Sequence, residues 1–314
     1  MKNNSPTISI PVDVTNPGQF FACCGLFELA GRLWPGTEAW FDGEAAHSQF
    51  HILALKSRPG LNADDSPTLL ELLSNACALH VHQGRRCFSH ASLPELPSDV
   101  GGRRFDIGND KGGSDGTDEA DDDASLDPIA IQSPVQMILD WWSDRSIKPW
   151  AGSMKEGPIF NAMLRAIDPA NSDPMNDTKP VFDPIGPVEV GKRAKRPTKK
   201  EPFYFDCRRG SNAHPLDSGF SPDTHHLESY CFPAVEAMCF VGLQRARPAP
   251  AEVPNRSTYT VWTTRLPVNV VGPVVCGMAD MSGSSAFTFD NFFRTDQRKH
   301  KSYSRATRTR SNDV

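Results

Sequence analysis

Several motifs that mark large enzyme families are missing from this sequence. It contains no G-x-S-x-G nucleophile elbow, no G-x-x-x-x-G-K-[ST] phosphate loop and no G-x-G-x-x-G dinucleotide fingerprint. No repeat of fixed period is visible either. Enzymes built on those scaffolds are therefore not expected, and the sequence predicts neither a catalytic residue nor a cofactor.

The marks of a secreted or zinc-binding protein are also missing. The eight cysteines include no C-x-x-C pair, and no basic leader with a small-residue cleavage pattern is present. Reduced thiols are the expected state, which favours a cytoplasmic location. Structural zinc is not expected.

A run of apolar residues long enough for a membrane is absent as well. The apolar stretch within PVDVTNPGQFFACCGLFELAGRLWPG, residues 11–36, is interrupted by Glu28 and Arg32. A membrane helix needs about 20 consecutive, mainly apolar residues. We therefore expect no membrane partner.

The same stretch predicts a helix over residues 16–34. Asn16 suits the N-cap, a proline follows at the first helical position, and Gln19 lies where it can reach back to the backbone of the cap. Apolar residues recur at three- and four-residue spacing, so one face should be buried and the other should meet water. Cys23 and Cys24 are then small core residues, and Gly25 allows a neighbouring backbone to approach closely.

Composition and pattern together predict an α+β fold. The 38% apolar content and 27 prolines in 314 residues favour a loop-rich chain of one large or two ordinary domains. We expect mainly antiparallel sheet, with strands at residues 8–14, 39–41, 50–55, 258–275 and 286–293. Further helices are expected from Ser66 to His80, from Ser133 to Trp142, from Gly157 and from Phe232.

Charge divides the chain near residue 190. Residues 1–190 carry 14 Lys and Arg against 27 Asp and Glu, whereas residues 191–314 carry 19 against 11. Much of the acidic excess lies in an insertion at about residues 99–127, which we expect to be disordered because it is rich in carboxylates, glycine and serine. It lacks the ordered ligand positions and closing Glu of a calcium loop. Residues 1–190 and 191–314 are predicted to be two domains or one continuous domain.

Basic segments in the second part predict nucleic-acid binding. They lie at residues 192–200, at Arg208 and Arg209 before a Gly-Ser-Asn turn, and at residues 294–310. Such side chains neutralise phosphates, and the phenylalanines before residue 294 can either stack on bases or belong to the core. The candidate nucleic-acid-binding residues are Lys192, Arg193, Arg208, Arg209, Arg294, Arg298, Lys299, Lys301, Tyr303 and Arg305.

A metal-dependent nuclease or hydrolase is the alternative. Asp217, Asp223, His225 and His226 are metal-capable side chains close together in the sequence. Their spacing matches no established metal motif, and adjacent histidines on an extended backbone point to opposite sides. An ordinary polar loop is the favoured explanation for them, so no metal site is predicted.

Three blocks of sequence resemble subunits of type I CRISPR surveillance complexes. The blocks are VDVTNPGQFFACCGLFELAGRLWPG, FYFDCRRGSNAHPLDSGFSPD with FPAVEAMCFVGLQRARP, and YTVWTTRLPVNVV with FRTDQRKHKSYSRAT. Together they are similar to the Csb and large-subunit-like proteins of the I-U/I-G Cascade group. The resemblance covers roughly a third of the chain and leaves out the acidic insertion and residues 168–200.

The resemblance implies a non-catalytic subunit. Its expected partners are guide RNA, target DNA near the protospacer-adjacent motif, other Cascade subunits and the helicase-nuclease that it helps to recruit. The helix that begins at Asn16 would be scaffold, buried against a neighbouring subunit. A third hypothesis is a structural bridge whose basic tail binds an acidic protein.

Overall fold

The computed structural model describes most of the chain, with several gaps. The described residues are 5–54, 66–83, 128–143, 146–150, 155–180, 202–210, 230–279, 281–294 and 301–309. Within them the chain is α+β, as predicted, with six α-helices and strands that all pair antiparallel. The acidic insertion at about 99–127 lies outside the described residues.

The elements are numbered in chain order. The helices are α1 Pro17–Leu33, α2 Leu69–Cys77, α3 Glu156–Ala166, α4 Cys207–Gly210, α5 Pro233–Gly242 and α6 Val271–Val275. The strands are β1 Ile8–Val12, β2 Glu38–Glu44, β3 His47–Leu53, β4 Val81–Gln83, β5 Ile129–Ile131, β6 Met137–Leu139, β7 Lys179–Pro180, β8 Tyr230–Cys231, β9 Ala249–Pro250, β10 Arg256–Val261, β11 Leu266–Pro267, β12 Ser285–Phe293, β13 Lys301–Tyr303 and β14 Thr307–Arg308.

The strands form four sheets among the described residues. Two sheets dominate, with orders β1-β3-β2-β11 and β13-β12-β10-β9, and β14 pairs with β12 in the second. The smaller sheets are β4-β5-β6 and β7-β8. Because β11 joins a sheet otherwise made of N-terminal strands, the two parts of the chain are interleaved.

Helix α1 begins where the sequence predicts but is more enclosed than expected. Asn16 caps it by accepting a hydrogen bond from the Gly18 amide at 3.1 Å. The Gln19 side chain accepts from the Asp13 amide at 2.7 Å, upstream of the cap. The predicted water-facing side is wrong, because 14 of the 17 helical residues are buried and Glu28 is among them.

The close approach predicted at Gly25 is confirmed. A Cβ atom at this position would lie 1.9 Å from the Met238 carbonyl oxygen of α5. Only a residue without a side chain lets two helices approach this closely. Cys23 and Cys24 are buried in the core, also as predicted. Helix α1 therefore packs against a helix of its own chain.

Two predicted elements are wrong. Instead of a helix from Ser133 to Trp142, the chain forms β6 and a short 3-10 turn at Trp141–Ser143. Instead of one strand over 258–275, it forms the end of β10, the two-residue strand β11 and helix α6. Both stretches are short apolar runs broken by proline, and such runs do not distinguish helix from strand by periodicity alone.

A single hydrophobic cluster includes residues from both sides of position 190. Ile10 and Phe20 share it with Phe240 and Tyr259, and the Tyr259 hydroxyl donates to the Val14 carbonyl at 2.6 Å. This arrangement favours one continuous domain over two separate ones. In the part of the chain that the structure covers, no helix combines the length and apolarity needed to cross a membrane.

Candidate nucleic-acid interface

The segment at residues 202–210 is held by buried polar groups from two helices. Asn16, at the start of α1, donates from its side-chain amide to Asp206 Oδ1 at 2.9 Å and accepts from the Cys207 amide at 3.2 Å. Glu236 on α5 accepts from the Phe205 and Asp206 amides at 3.3 and 3.2 Å. These bonds fix the backbone that leads into Arg208 and Arg209.

Tyr204 is the residue on which the two described basic segments meet. The Arg294 guanidinium carbon lies 3.4 Å from the centroid of the Tyr204 ring, and that of Arg209 lies 5.3 Å from it. The Tyr303 amide of β13 donates to the Tyr204 carbonyl at 3.3 Å. Arg209 and Arg294, which are far apart in the sequence, therefore both lie within cation–π range of one ring.

The backbone of Tyr204 is strained. Its φ of +71° lies in the left-handed region, which is uncommon for a large aromatic residue. Backbone strain of this kind persists only where the surrounding structure enforces it, and it occurs often at functional sites. The enforcing contacts are the buried hydrogen bonds on either side of the residue.

Arg208 is committed to contacts within the chain. It forms an ion pair with Asp206 at 2.6 Å, donates to the Asn176 side chain and the Met175 carbonyl at 2.6 Å each, and lies 3.5 Å from the centroid of the Phe232 ring. A bidentate pair with a buried carboxylate positions both partners strongly. Its main role in this structure is to hold the 202–210 segment in place.

Arg209 and Arg294 differ from Arg208 in having few polar contacts. Their residues are 6% and 4% exposed, and the Nε atom of each is buried without a hydrogen-bond partner. Neither guanidinium forms an ion pair with any of the described residues. Buried charges are ordinarily paired, so these two groups are exceptional.

The two nearby carboxylates are engaged elsewhere. Asp206 bonds to Arg208 and Asn16, while Glu236 bonds to backbone amides. Burial, followed by the negative charge of Asp206, raises the pKa of Glu236 from its ordinary 4.5 to about 7. The charge of Arg209 lowers that pKa only partly, so Glu236 is a weak counter-charge near neutral pH among the described residues.

The remaining described candidates occupy different environments. Tyr303 is fully buried and its hydroxyl donates to the Ile147 carbonyl at 2.6 Å, so its ring belongs to the core and presents no face to a base. Lys301 donates to Asn255 Oδ1 at 2.7 Å and lies 5.0 Å from the Phe293 ring centroid. Arg305 donates to Asp13 and Thr15 at 2.8 Å each, and its side chain is 58% exposed.

The phenylalanines before residue 294 fall into two groups. Phe287 and Phe289 are buried in the core, whereas Phe292 and Phe293 at the end of β12 are 36% and 39% exposed. The core expectation is confirmed for Phe287 and Phe289, and stacking on bases stays a prediction for Phe292 and Phe293. In the pairing of β12 with β13, Phe293 lies opposite Lys301 and Phe292 lies opposite Ser302.

A cavity of about 300 Å³ lies next to Arg208. Its polar lining includes Asp13, Gln19, Ser48 and Asn176. Since Asp13 also binds the exposed Arg305, both Arg208 and Arg305 of the predicted set border this part of the surface.

Several predicted residues lie outside the described part of the chain. They are Lys192, Arg193, Arg298 and Lys299 of the basic set and Asp217, Asp223, His225 and His226 of the alternative metal site. Among the residues that the structure does describe, no group of three or more His, Cys, Asp or Glu side chains could hold a metal ion.

Two important residues of the site were missed from the sequence. Tyr204 precedes the arginine pair by only a few positions, but nothing in the pattern indicates a positive φ. Glu236 is the one acidic residue within the otherwise apolar run of α5, and a lone carboxylate in such a run signals a buried polar role.

Comparisons with known proteins returned no relative. No family model matches the chain, and neither the curated proteins nor the solved structures include a match.

Proposed function

We propose that this chain is a non-catalytic, nucleic-acid-binding subunit of a type I CRISPR surveillance complex. The observation that carries nucleic-acid binding is the meeting of Arg209 and Arg294 at Tyr204. Two basic segments, separate in the sequence, thereby contribute to one positively charged cluster at Tyr204. Guanidinium groups suit phosphate because their planar fork matches its oxygens.

The neighbouring surface carries further groups that suit a single-stranded nucleic acid. Arg305 is exposed on one side, and Phe292 and Phe293 are exposed beside Lys301. Positive charge tracks a sugar-phosphate backbone, and exposed aromatic rings stack on unpaired bases. The interface would therefore contact guide RNA or the unpaired part of target DNA.

Membership of a Cascade is supported by the three sequence blocks. In such a complex, base pairing reads most of the target while protein subunits hold the nucleic acid and recognise a short motif. The chain would bind near the protospacer-adjacent motif, contact other subunits and aid recruitment of the helicase-nuclease. Its role is to bind and position, with no chemical step of its own.

Salt-dependent binding tests the nucleic-acid part of the proposal. We expect the purified chain to bind labelled single-stranded RNA or DNA with an affinity that falls steeply with salt. Arg294→Gln should reduce the slope of log K against log salt by about 0.7, the loss of one phosphate contact to a single strand. Fluorescence anisotropy over a salt series measures both quantities.

Arg247→Gln is the matched control. It removes the same charge from an exposed side chain that follows the C-terminal end of α5, whereas Glu236 and the candidate interface lie towards the other end. Equal slopes for the two variants would reject the assignment of Arg294. No binding by wild type to RNA, single-stranded DNA or duplex DNA at low salt would reject nucleic-acid binding altogether.

Co-purification tests the Cascade part. We expect the tagged chain, produced together with the genes beside its own, to purify with a CRISPR RNA and the backbone subunits. Recovery of the chain free of RNA and of those subunits would contradict membership, even if the chain alone binds oligonucleotides.

A further inference from the structure

We propose that Arg209 and Arg294, held by Tyr204, form a recessed site for a single phosphate group. The inference deepens the proposed function and rests on it for the source of the ligand, a backbone phosphate of a single-stranded nucleic acid. The site itself stands on the described geometry: two nearly buried guanidiniums share one aromatic ring, and each has a buried Nε without an acceptor.

Arg209 and Arg294 are buried without an ion-pair partner among the described residues. A guanidinium cannot lose its proton in a protein, so it cannot escape burial by becoming neutral. Arginines with close carboxylate partners among the described residues, such as Arg208, Arg245 and Arg256, show what pairing looks like in this chain. Arg209 and Arg294 lack such a partner among the described residues, and an anionic ligand would supply it.

The described carboxylates do not fill this role. Asp206 and Glu236 are fully buried, but their oxygens accept from Arg208, Asn16 and backbone amides. The charge of Arg209 lowers the pKa of Glu236, yet neither carboxylate forms an ion pair with Arg209 or Arg294. Among the described residues, these two arginines therefore lack a paired carboxylate.

Tyr204 gives the pair a fixed geometry. Gly18 of α1 lets the backbone before Asp206 lie directly on the helix, since a Cβ there would be 2.5 Å from the Phe205 carbonyl oxygen. Tyr204 directly precedes Phe205, and both guanidiniums contact its ring. Side chains held in advance lose less freedom when a ligand binds.

Phosphate is the ligand class that this arrangement favours. Two guanidiniums at one ring offer several N–H donors, and phosphate has enough oxygens to accept from both. A carboxylate from a partner protein has only two oxygens, but Glu28 shows that one carboxylate can bind two guanidiniums at once. The carboxylate is therefore the competing ligand that the experiment must exclude.

Inorganic phosphate is the probe for the site. A ligand that binds only the folded chain shifts the unfolding equilibrium about tenfold for each tenfold rise in its concentration above its dissociation constant. We expect sodium phosphate to raise the midpoint of thermal unfolding of wild type above that in sodium chloride of equal ionic strength. Sodium acetate should have no such effect.

Variants separate this site from general salt effects. Arg209→Gln and Arg294→Gln should abolish most of the extra stabilisation by phosphate, while Arg247→Gln should keep it. If a glutamine variant does not fold, Arg209→Lys and Arg294→Lys replace it, because a lysine keeps the charge but loses the fork and should weaken the phosphate effect. Equal phosphate stabilisation in all variants, or equal stabilisation by acetate, overturns the proposal.

An oligonucleotide arm separates this inference from the proposed function. If phosphate stabilises wild type and inhibits binding of labelled single-stranded RNA or DNA, site and source are both supported. If phosphate stabilises the chain but no oligonucleotide binds, the site stands and the proposed function fails. If oligonucleotides bind wild type and both glutamine variants equally, the phosphate site is rejected while nucleic-acid binding stands.

Discussion

Two buried glutamates on the packed helices α1 and α5 are in opposite electrostatic situations. Burial alone would raise the pKa of Glu28, but hydrogen bonds and charges from Arg245 and Arg32 outweigh it and leave that pKa lowered. Burial, followed by the negative charge of Asp206, raises the pKa of Glu236 to about 7, and backbone hydrogen bonds and the charge of Arg209 offset this only in part. Glu236 is more deeply buried than Glu28 and lacks the two close arginine partners that Glu28 has.

This difference predicts a specific pH dependence at the residue scale. As pH rises from 4.5 towards 7, folded Glu236 keeps a proton that the unfolded chain has lost, so its contribution to the free energy of unfolding falls across that window. Glu236→Gln cannot ionise and should remove this fall. Urea unfolding midpoints at about pH 5 and about pH 7 measure the effect.

Glu28→Gln is the control for that experiment. Because its folded pKa is lowered, Glu28 stabilises the chain above its ordinary pKa of 4.5 and loses this effect only as pH falls below that value. The variant should be less stable than wild type at both pH values but should keep the same difference between them. The prediction fails if Glu236→Gln keeps the wild-type difference.

At the scale of elements, the contact between α1 and α5 depends on glycine. A Cβ at Gly25 would overlap the Met238 carbonyl oxygen, and backbone cannot move aside by changing a rotamer. The same two helices supply Asn16 and Glu236, which hold the 202–210 segment. Their separation is thus coupled to the position of the arginines at Tyr204.

Gly25→Ala should therefore destabilise the chain although alanine is the better helix former. Overpacking of a core costs about 1–3 kcal/mol, which outweighs the gain of about 1 kcal/mol in helix propensity. Gly31→Ala in the same helix is the comparison, because a Cβ there meets only the Val268 side chain. A urea midpoint lowered more by Gly31→Ala than by Gly25→Ala would contradict this account.

At the scale of the whole molecule, the core joins both sides of the charge division. The hydrophobic cluster includes residues from Ile8 to Ala306, and β11 from the second part completes the sheet of β1, β3 and β2. We therefore expect that the charge division near residue 190 does not mark a boundary between two folding units.

A shared core predicts one cooperative unfolding transition. Tryptophan fluorescence and far-ultraviolet circular dichroism should report the same urea midpoint. Tyr259→Phe removes the hydroxyl that bonds to the Val14 carbonyl and should lower the free energy of unfolding by about 1 kcal/mol. The urea midpoint should then fall by the same amount for both probes. Two separate transitions, with only one shifted by the variant, would indicate two domains.

Local patterns in the sequence were sufficient for the features that depend on neighbouring residues. The cap at Asn16, the buried cysteines, the close approach at Gly25 and the α+β class are all confirmed, because capping chemistry, residue size and hydrophobic period act over a few positions. The helix predicted from Ser133 to Trp142 and the end of the strand predicted over 258–275 were wrong. In both stretches tertiary packing decides between helix and strand.

The sequence by itself determined which residue types the candidate interface uses, since it placed the arginines in a basic part of the chain. Only the tertiary structure decided which of them have partners. Arg208 is paired with Asp206, Tyr303 is in the core, and Arg209 and Arg294 meet at Tyr204 without a paired carboxylate among the described residues. The physical reason is that pairing and burial of a charge depend on segments that are distant in the chain and adjacent only after folding.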